Sequence, residues 1–152
     1  MPQRLDIASL APAQYKAMVT LDRSITLDLR LRELIKVRAS QINGCAYCID
    51  MHWKDARAAG VSEERLYMLN AWSESEQYTD REKVALELCE AMTLIATSNV
   101  PDDVWARVSA HFDQEELAQL VFAITAINSW NRVAITCRAE PGHYEPRVRH
   151  AG

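Results

Sequence analysis

The sequence predicts an all-α fold, a single domain built as a bundle of about seven helices, and three observations carry that expectation. Only 4 Gly and 5 Pro stand among 152 residues, too few for an all-β sandwich, which needs turn residues at short, regular spacing. Apolar side chains recur at i, i+4 and i+7, as on a helix face, rather than alternating as in a strand. Capping patterns, Thr79 to Glu82 and Asp113 to Glu116, stand just ahead of two of the apolar runs. The apolar and charged fractions, 49% and 25%, are those of an ordinary globular protein and exclude disordered and collagen-like chains. A chain of this length fits one domain rather than two independent cores.

The first helix is expected from Ala11 to about Arg23, where Tyr15, Met18, Val19 and Leu21 recur among polar residues. Leu27 to about Gln41 is a stronger pattern, with Leu27, Leu31, Leu34 and Ile35 at i, i+4, i+7 and i+8. Asn43-Gly44 ends that run, because both residues tolerate left-handed or turn conformations. A new helix should then run from Cys45 to Ala59, with Gly60 past its end and Ser62 capping a short helix to about Trp72. After Thr79, Val84, Leu88, Met92 and Ile95 share one face, and Pro101-Asp102-Asp103 opens a short helix through His111. The last helix, Glu115 to about Arg138, is the longest, at roughly 36 Å by helical rise. Its first half, Leu117 to Ile127, is apolar on most sides, as in a helix buried centrally or packed between subunits. Glu140 to Gly152 reads as an extended tail.

Seventeen Lys and Arg against 21 Asp and Glu give a formal charge of −4 with no long block of either sign, so no nucleic-acid partner is expected. Met1 to Asp6 lacks the basic and apolar stretches of a secretory signal, and Leu117 to Ile127 is too short to cross a bilayer. A cytoplasmic location without a membrane partner is the expectation. In a reducing compartment four cysteines do not make a disulfide framework, so their spacing has to be read as chemistry, metal binding or core.

The informative segment runs from Glu33 to His52. Cys45, Cys48 and His52 fall within an arc of about 60° on one helix face. Cys48 and His52 are i, i+4 neighbours, within reach of a hydrogen bond directly or through one water. Both cysteines start a helix, where free N–H groups and the dipole favour a thiolate. Taken by itself Glu33 reads as a solvated carboxylate paired with Lys36 or Arg30. Cys89, with Ala85 and Met92, and Cys137, with Trp130 and Val133, read as core residues. His111, His143 and His150 read as solvated. Asn128, Trp130, Asn131 and Arg132 form either a polar cluster that fixes helix packing or part of an active-site wall.

The segment resembles the signature of the alkylhydroperoxidase D-like (AhpD-like) group of the carboxymuconolactone decarboxylase superfamily. The shared pattern is a Glu, a Cys-x-x-Cys twelve residues on, and a His four residues beyond the second Cys, matched here by Glu33, Cys45, Cys48 and His52. Asn43-Gly44 and Ile127-Asn-Ser-Trp-Asn-Arg132 extend the resemblance over roughly residues 20–140. It implies an all-helical fold that assembles as a trimer, or as dimers and hexamers, and a thiol peroxidase activity that needs no cofactor or metal. By that analogy Cys48 is the peroxidatic thiol, Cys45 the resolving thiol, and His52 with Glu33 a proton relay. Some members carry a further relay His just before the second Cys; this chain has Tyr47, a hydrogen-bond donor but a poor base.

The expected chemistry is attack of a Cys48 thiolate on a hydroperoxide, giving a sulfenic acid, then condensation with Cys45 to a disulfide. An external dithiol of lipoyl or thioredoxin type would reduce that disulfide. Two other readings remain open at this stage. One is a lactone-processing or decarboxylating enzyme like the other branch of the superfamily, which lacks the paired cysteines. The other is a non-enzymatic helical module with zinc held by Cys45, Cys48, His52 and Glu33, all plausible ligand types.

Overall fold

The computed structural model describes residues 1–146, which are helical with no strand among them. In order the elements are α1 (Ile7–Leu10), α2 (Pro12–Ser24), α3 (Leu29–Asn43), α4 (Ala46–Ala58), α5 (Glu63–Tyr67), a 3-10 helix (Leu69–Glu74), α6 (Asp80–Thr93), α7 (Ile95–Ser98), α8 (Asp102–Ser109) and α9 (Gln114–Cys137). Every expected helix is present. The segment after Ser62 divides into α5 and the 3-10 helix, and two single-turn helices, α1 and α7, are added. α1 is too short and too exposed for a periodic pattern to mark it. α7 arises because α6 stops at Leu94, where ψ turns to 26°. Ile95, expected on the core face of α6, is therefore 51% exposed.

The caps lie where the residue types put them. Asp28 accepts the Leu31 amide, Ser62 that of Arg65, and Thr79 and Asp113 both complete capping boxes. Each such cap contributes about 1 kcal/mol.

α3 is central, packing on α4, α6 and α9, and its sequence divides into three faces. Leu31, Ile35 and Ala39 point into a core with Leu88, Val108, Leu120, Ile124 and Ile127 of α6, α8 and α9. Leu34 and Val37 enter a second core with Ala56, Val61, Leu66, Leu69 and Leu86. A fully buried Leu or Ile stabilises by roughly 1.5–3 kcal/mol, so two such faces bury α3 along its length. The third face carries Glu33, Lys36 and Ser40, all at most 3% exposed. At 100° per residue these three lie within about 60° of one another. A buried polar stripe on the central helix is what locates the site.

α9 is 24 residues long, and by length and composition it could cross a bilayer, which the shorter stretch Leu117 to Ile127 could not. Here it packs on α2, α3, α4, α6 and α8, and Leu120, Ala123, Ile124 and Ile127 are completely buried. The described part of the tail folds back on α4: Gly142 N–H donates to Asp50 (3.0 Å), Lys54 to the Tyr144 carbonyl (3.0 Å), and the Tyr144 hydroxyl to Asp55 (2.6 Å). His150 lies outside the described residues. His143 is exposed, and so is His111, whose ring nitrogen lies 3.0 Å from the Arg107 carbonyl.

Candidate active site

The turn between α3 and α4 builds the site. Gly44 closes α3 in the left-handed region (φ 70°, ψ 33°), a conformation glycine adopts without the Cβ penalty. The chain leaves it extended at Cys45, which is the N-cap of α4. The Cys45 sulfur occupies the place of a capping oxygen and accepts the Cys48 amide at 3.4 Å. Cys48, in the first turn, is thereby brought round so that the two sulfurs are 2.7 Å apart. Both are almost fully buried.

One negative charge is shared between them. The Cys48 thiol hydrogen-bonds to Cys45 and lowers its pKa; burial opposes this, while the Cys48 and Tyr47 amides and the Asn131 side chain assist, bringing Cys45 to about 7. Cys48 is pushed up for the complementary reasons: its hydrogen bond to Cys45, burial and the Cys45 charge all disfavour a second thiolate, against smaller help from Asn131 and Lys36. The resting charge lies on Cys45, whereas Cys48 is the sulfur that lines the cavity.

His52 does not hydrogen-bond directly to Cys48, as the i, i+4 spacing allowed. Its Nδ1 is 2.9 Å from Glu33 Oε2 and 4.0 Å from Asp55 Oδ2. Burial acts to raise the Glu33 pKa, but the His52 hydrogen bond and the charges of His52, Lys36 and Arg32 outweigh it and hold the carboxyl below its usual value. Glu33 is thus a buried partner of His52, not a solvated carboxylate. Asp55 is shifted the other way, raised by burial and by Glu33 against the Tyr144 hydrogen bond.

Above this floor is a cavity of about 500 Å³. Tyr15, Val19, Met51, Trp130 and Val133 give it an apolar wall, with Tyr15 and Trp130 edge to face at 5.3 Å. The N-terminal segment covers part of it, tied down by the Arg4 amide to the Cys137 carbonyl at 2.9 Å. Tyr47 also faces the cavity, its hydroxyl pKa raised by burial and by the neighbouring Tyr15 and thiols.

The polar cluster on α9 serves packing and site together. Asn43 Nδ2 donates to Asn128 and Asn131 (both 2.9 Å), and Asn131 Nδ2 donates to Ser40 (3.0 Å). The same Asn131 side chain supports the Cys45 thiolate. Arg132 is spent on the Asn128 carbonyl. Cys89 is a core residue, fully buried against the Ile35 carbonyl with its thiol pushed up to about 12 by that burial. Cys137 is buried too, but it stands in the cavity wall.

Asp22, Asp55 and Tyr144 escaped the sequence reading, and Lys36 entered it only as a surface partner of Glu33. Glu33, Lys36 and Ser40 recur at i, i+3 and i+7, which marks one face of α3 but not whether that face is covered. Asp22 and Tyr144 come from distant segments and carried no signal. The four residues considered as zinc ligands do not converge. The donors that gather within 4.8 Å of one another among the described residues are Glu33, His52 and Asp55, while the two sulfurs turn to each other.

Comparison with known proteins agrees with this fold. The model of the carboxymuconolactone decarboxylase family matches residues 12–91. The uncharacterized protein YdfG of Bacillus subtilis is 46% identical over 138 residues, 89% of this chain and 94% of that protein. A crystal structure from Agrobacterium tumefaciens, of a protein of unknown function named as a candidate antioxidant defence protein AhpD, superposes with a TM-score of 0.89 at 40% identity, covering 94% of this chain and all of that one. An alkylhydroperoxidase AhpD core from Ralstonia eutropha, a peroxidase-related protein, superposes at 0.78 over 90% of this chain and 74% of its own; at 18% identity this shows the fold alone.

Proposed function

The chain belongs to the carboxymuconolactone decarboxylase family, with an AhpD-like fold, and on that premise we propose that it is a thiol peroxidase that reduces organic hydroperoxides through Cys45 and Cys48. The observation that carries the reading is the sulfur pair, of which Cys48 lines a cavity with an apolar wall, beside a buried Glu33–His52 dyad. A lactone-processing role has no use for two sulfurs 2.7 Å apart.

In the proposed cycle a hydroperoxide enters above Cys48, whose proton passes to the Cys45 thiolate as its sulfur attacks the distal oxygen. The O–O bond breaks, Cys48 becomes a sulfenic acid, and the departing alkoxide leaves as an alcohol with a proton that His52 takes up from solvent at Nε2 and passes on, its Nδ1 staying on Glu33. Cys45 then attacks the Cys48 sulfur, and hydroxide leaves with the proton Cys45 had taken up, as water. The pair has given up two electrons and become a disulfide. A thiol external to the chain, of lipoyl or thioredoxin type, restores it by exchange.

Cys45, with a pKa of about 7, is about half ionised at neutral pH, against a few per cent for an ordinary cysteine, and so serves as the base that takes the Cys48 proton. Protonation of the leaving alkoxide, worth roughly 10²–10⁴, is the larger contribution, and the proposal gives that role to the His52–Glu33 dyad.

The test is to treat the reduced protein with tert-butyl hydroperoxide and follow its mass and free thiols. A loss of two mass units confined to the Cys45–Cys48 peptide is the expected result; thiols that stay reduced would overturn the reading. A homo-oligomer is part of the proposal, supported by two apolar side chains of α9, Phe122 and Ile135, 51% and 44% exposed. Measurement of the mass in solution tests it, a monomer at micromolar concentration counting against it.

A further inference from the structure

Lys36 projects from α3 one turn beyond Glu33 and lines the same cavity as Cys48 and His52, yet it is only 3% exposed. Its ammonium is held by Asp22 of α2, 2.9 Å from one carboxylate oxygen and 3.0 Å from the other. Ion pairing answers the desolvation cost of the lysine, but stability alone is a weak reason for such a pair. Two apolar side chains in its place are often neutral or better. The place of the pair is more telling, because it puts a buried, fixed cation on the wall beside the cavity-facing sulfur. We propose that the Asp22–Lys36 pair sets how much of the charge shared by the two sulfurs rests on Cys48, Lys36 drawing it toward the cavity and Asp22 moderating that pull.

The other groups facing this thiol do not do the same work. On α4, Cys45 competes for the charge, Tyr47 and Asp55 bring no cation, both being held above their usual pKa by burial, and His52 is engaged by Glu33 of α3. Arg23 of α2, Asp6 and Glu140 stand exposed at the cavity mouth, where solvent and salt screen them. Tyr15 on α2, Cys137 and Asn131 on α9, and Tyr144 behind Asp55 bring no cation to the site. Lys36 is the buried cation whose charge favours the ionised form of Cys48, as it does for Glu33 and Asp55. It is a positioning residue in this account, acting through the thiol and not on the substrate.

The proposal rests on the reading of Cys48 as the attacking sulfur, and its test needs no peroxide. Alkylation of Cys48 by iodoacetamide, resolved by peptide mass spectrometry, is followed against pH in the full chain. Lys36→Met should slow alkylation at pH 7 about three- to tenfold, a rise of about half to one unit in the midpoint. Asp22→Asn should do the opposite, speeding it and lowering the midpoint, and Lys36→Arg should restore the wild-type profile. Loss of a merely structural ion pair would move both partners' variants the same way or not at all, and either of those results overturns the proposal. If Lys36→Met fails to fold, Asp22→Asn decides alone, an unmoved or raised midpoint being the overturning result. Opposite shifts without peroxide turnover would leave this charge-setting role standing and remove the peroxidase reading.

Discussion

Glu33 Oε2 and His52 Nδ1 lie 2.9 Å apart behind the cavity wall that His52 helps to form, although 19 residues separate them in the chain. The contact joins α3 to α4 and, with the carboxyl held in its ionised form, fixes the imidazole proton on Nδ1. Nε2 is left to exchange a proton with a reacting group. His52→Asn should therefore slow peroxide-driven disulfide formation by roughly 10²–10⁴, and iodoacetamide alkylation, which expels no alkoxide, by less than about threefold. Stopped-flow oxidation run beside alkylation checks this; equal losses in both would remove the relay role.

The two sulfurs should be separable by substitution. Cys48→Ser is expected to abolish peroxide consumption, because Cys48 is the sulfur that lines the cavity. Cys45→Ser should consume one equivalent of peroxide and stop at a sulfenic acid that dimedone traps, since no neighbouring thiol remains to condense with it. Intact-mass measurement after a single addition of peroxide reads both outcomes.

The thiolate titration follows from the coupled pair. Absorbance at 240 nm should rise by one sulfur's worth around pH 7, and the second sulfur of the pair should not ionise until well into the alkaline range. Because Cys45 is lowered from 9.0 to about 7 on folding, it contributes stability that is complete above about pH 9 and lost as pH falls through about 7. Urea unfolding of Cys45→Ser beside the wild type should show a difference that grows over that window and is smallest below it.

Asn131, fully buried, connects the polar network to the thiolate by bonding Asn43 and Ser40 and supporting Cys45. Asn131→Leu should cost about 1–3 kcal/mol, the penalty of leaving buried polar partners unpaired. It should also raise the midpoint of the Cys45 thiolate. Denaturant unfolding and the 240 nm titration give the two values independently.

Gly44→Ala should destabilise by about 1 kcal/mol. An added Cβ at Gly44 meets no atom within 4 Å, so the cost is that of φ 70° alone. Gly44→Asn, a residue that tolerates the left-handed region, should recover part of it. Thermal unfolding of the two variants ranks them.

The local elements were largely legible in the sequence. Thr79, Asp113 and Ser62 announce their helices because capping depends on residues three positions apart. Cys45, Cys48 and His52 come together because one helix carries them. Ile95 was misjudged because the periodicity of α6 continues through a break at Leu94 that only the packed structure makes. Lys36 and Glu33 look like surface charges in a charged stretch, and nothing within α3 reveals that its third face is covered.

The sequence by itself determined the helices, their caps, the Gly44 turn and the presentation of two sulfurs and an imidazole on one face of α4. These depend on contacts within about four residues, where spacing and geometry are nearly the same thing. Tertiary structure decided which partner His52 takes, which sulfur carries the charge and which cation stands beside it. Glu33, Asn131 and Asp22 reach the site from α3, α9 and α2. Their effects on charge depend on burial and on distance across the cavity, quantities that exist only once the bundle has closed.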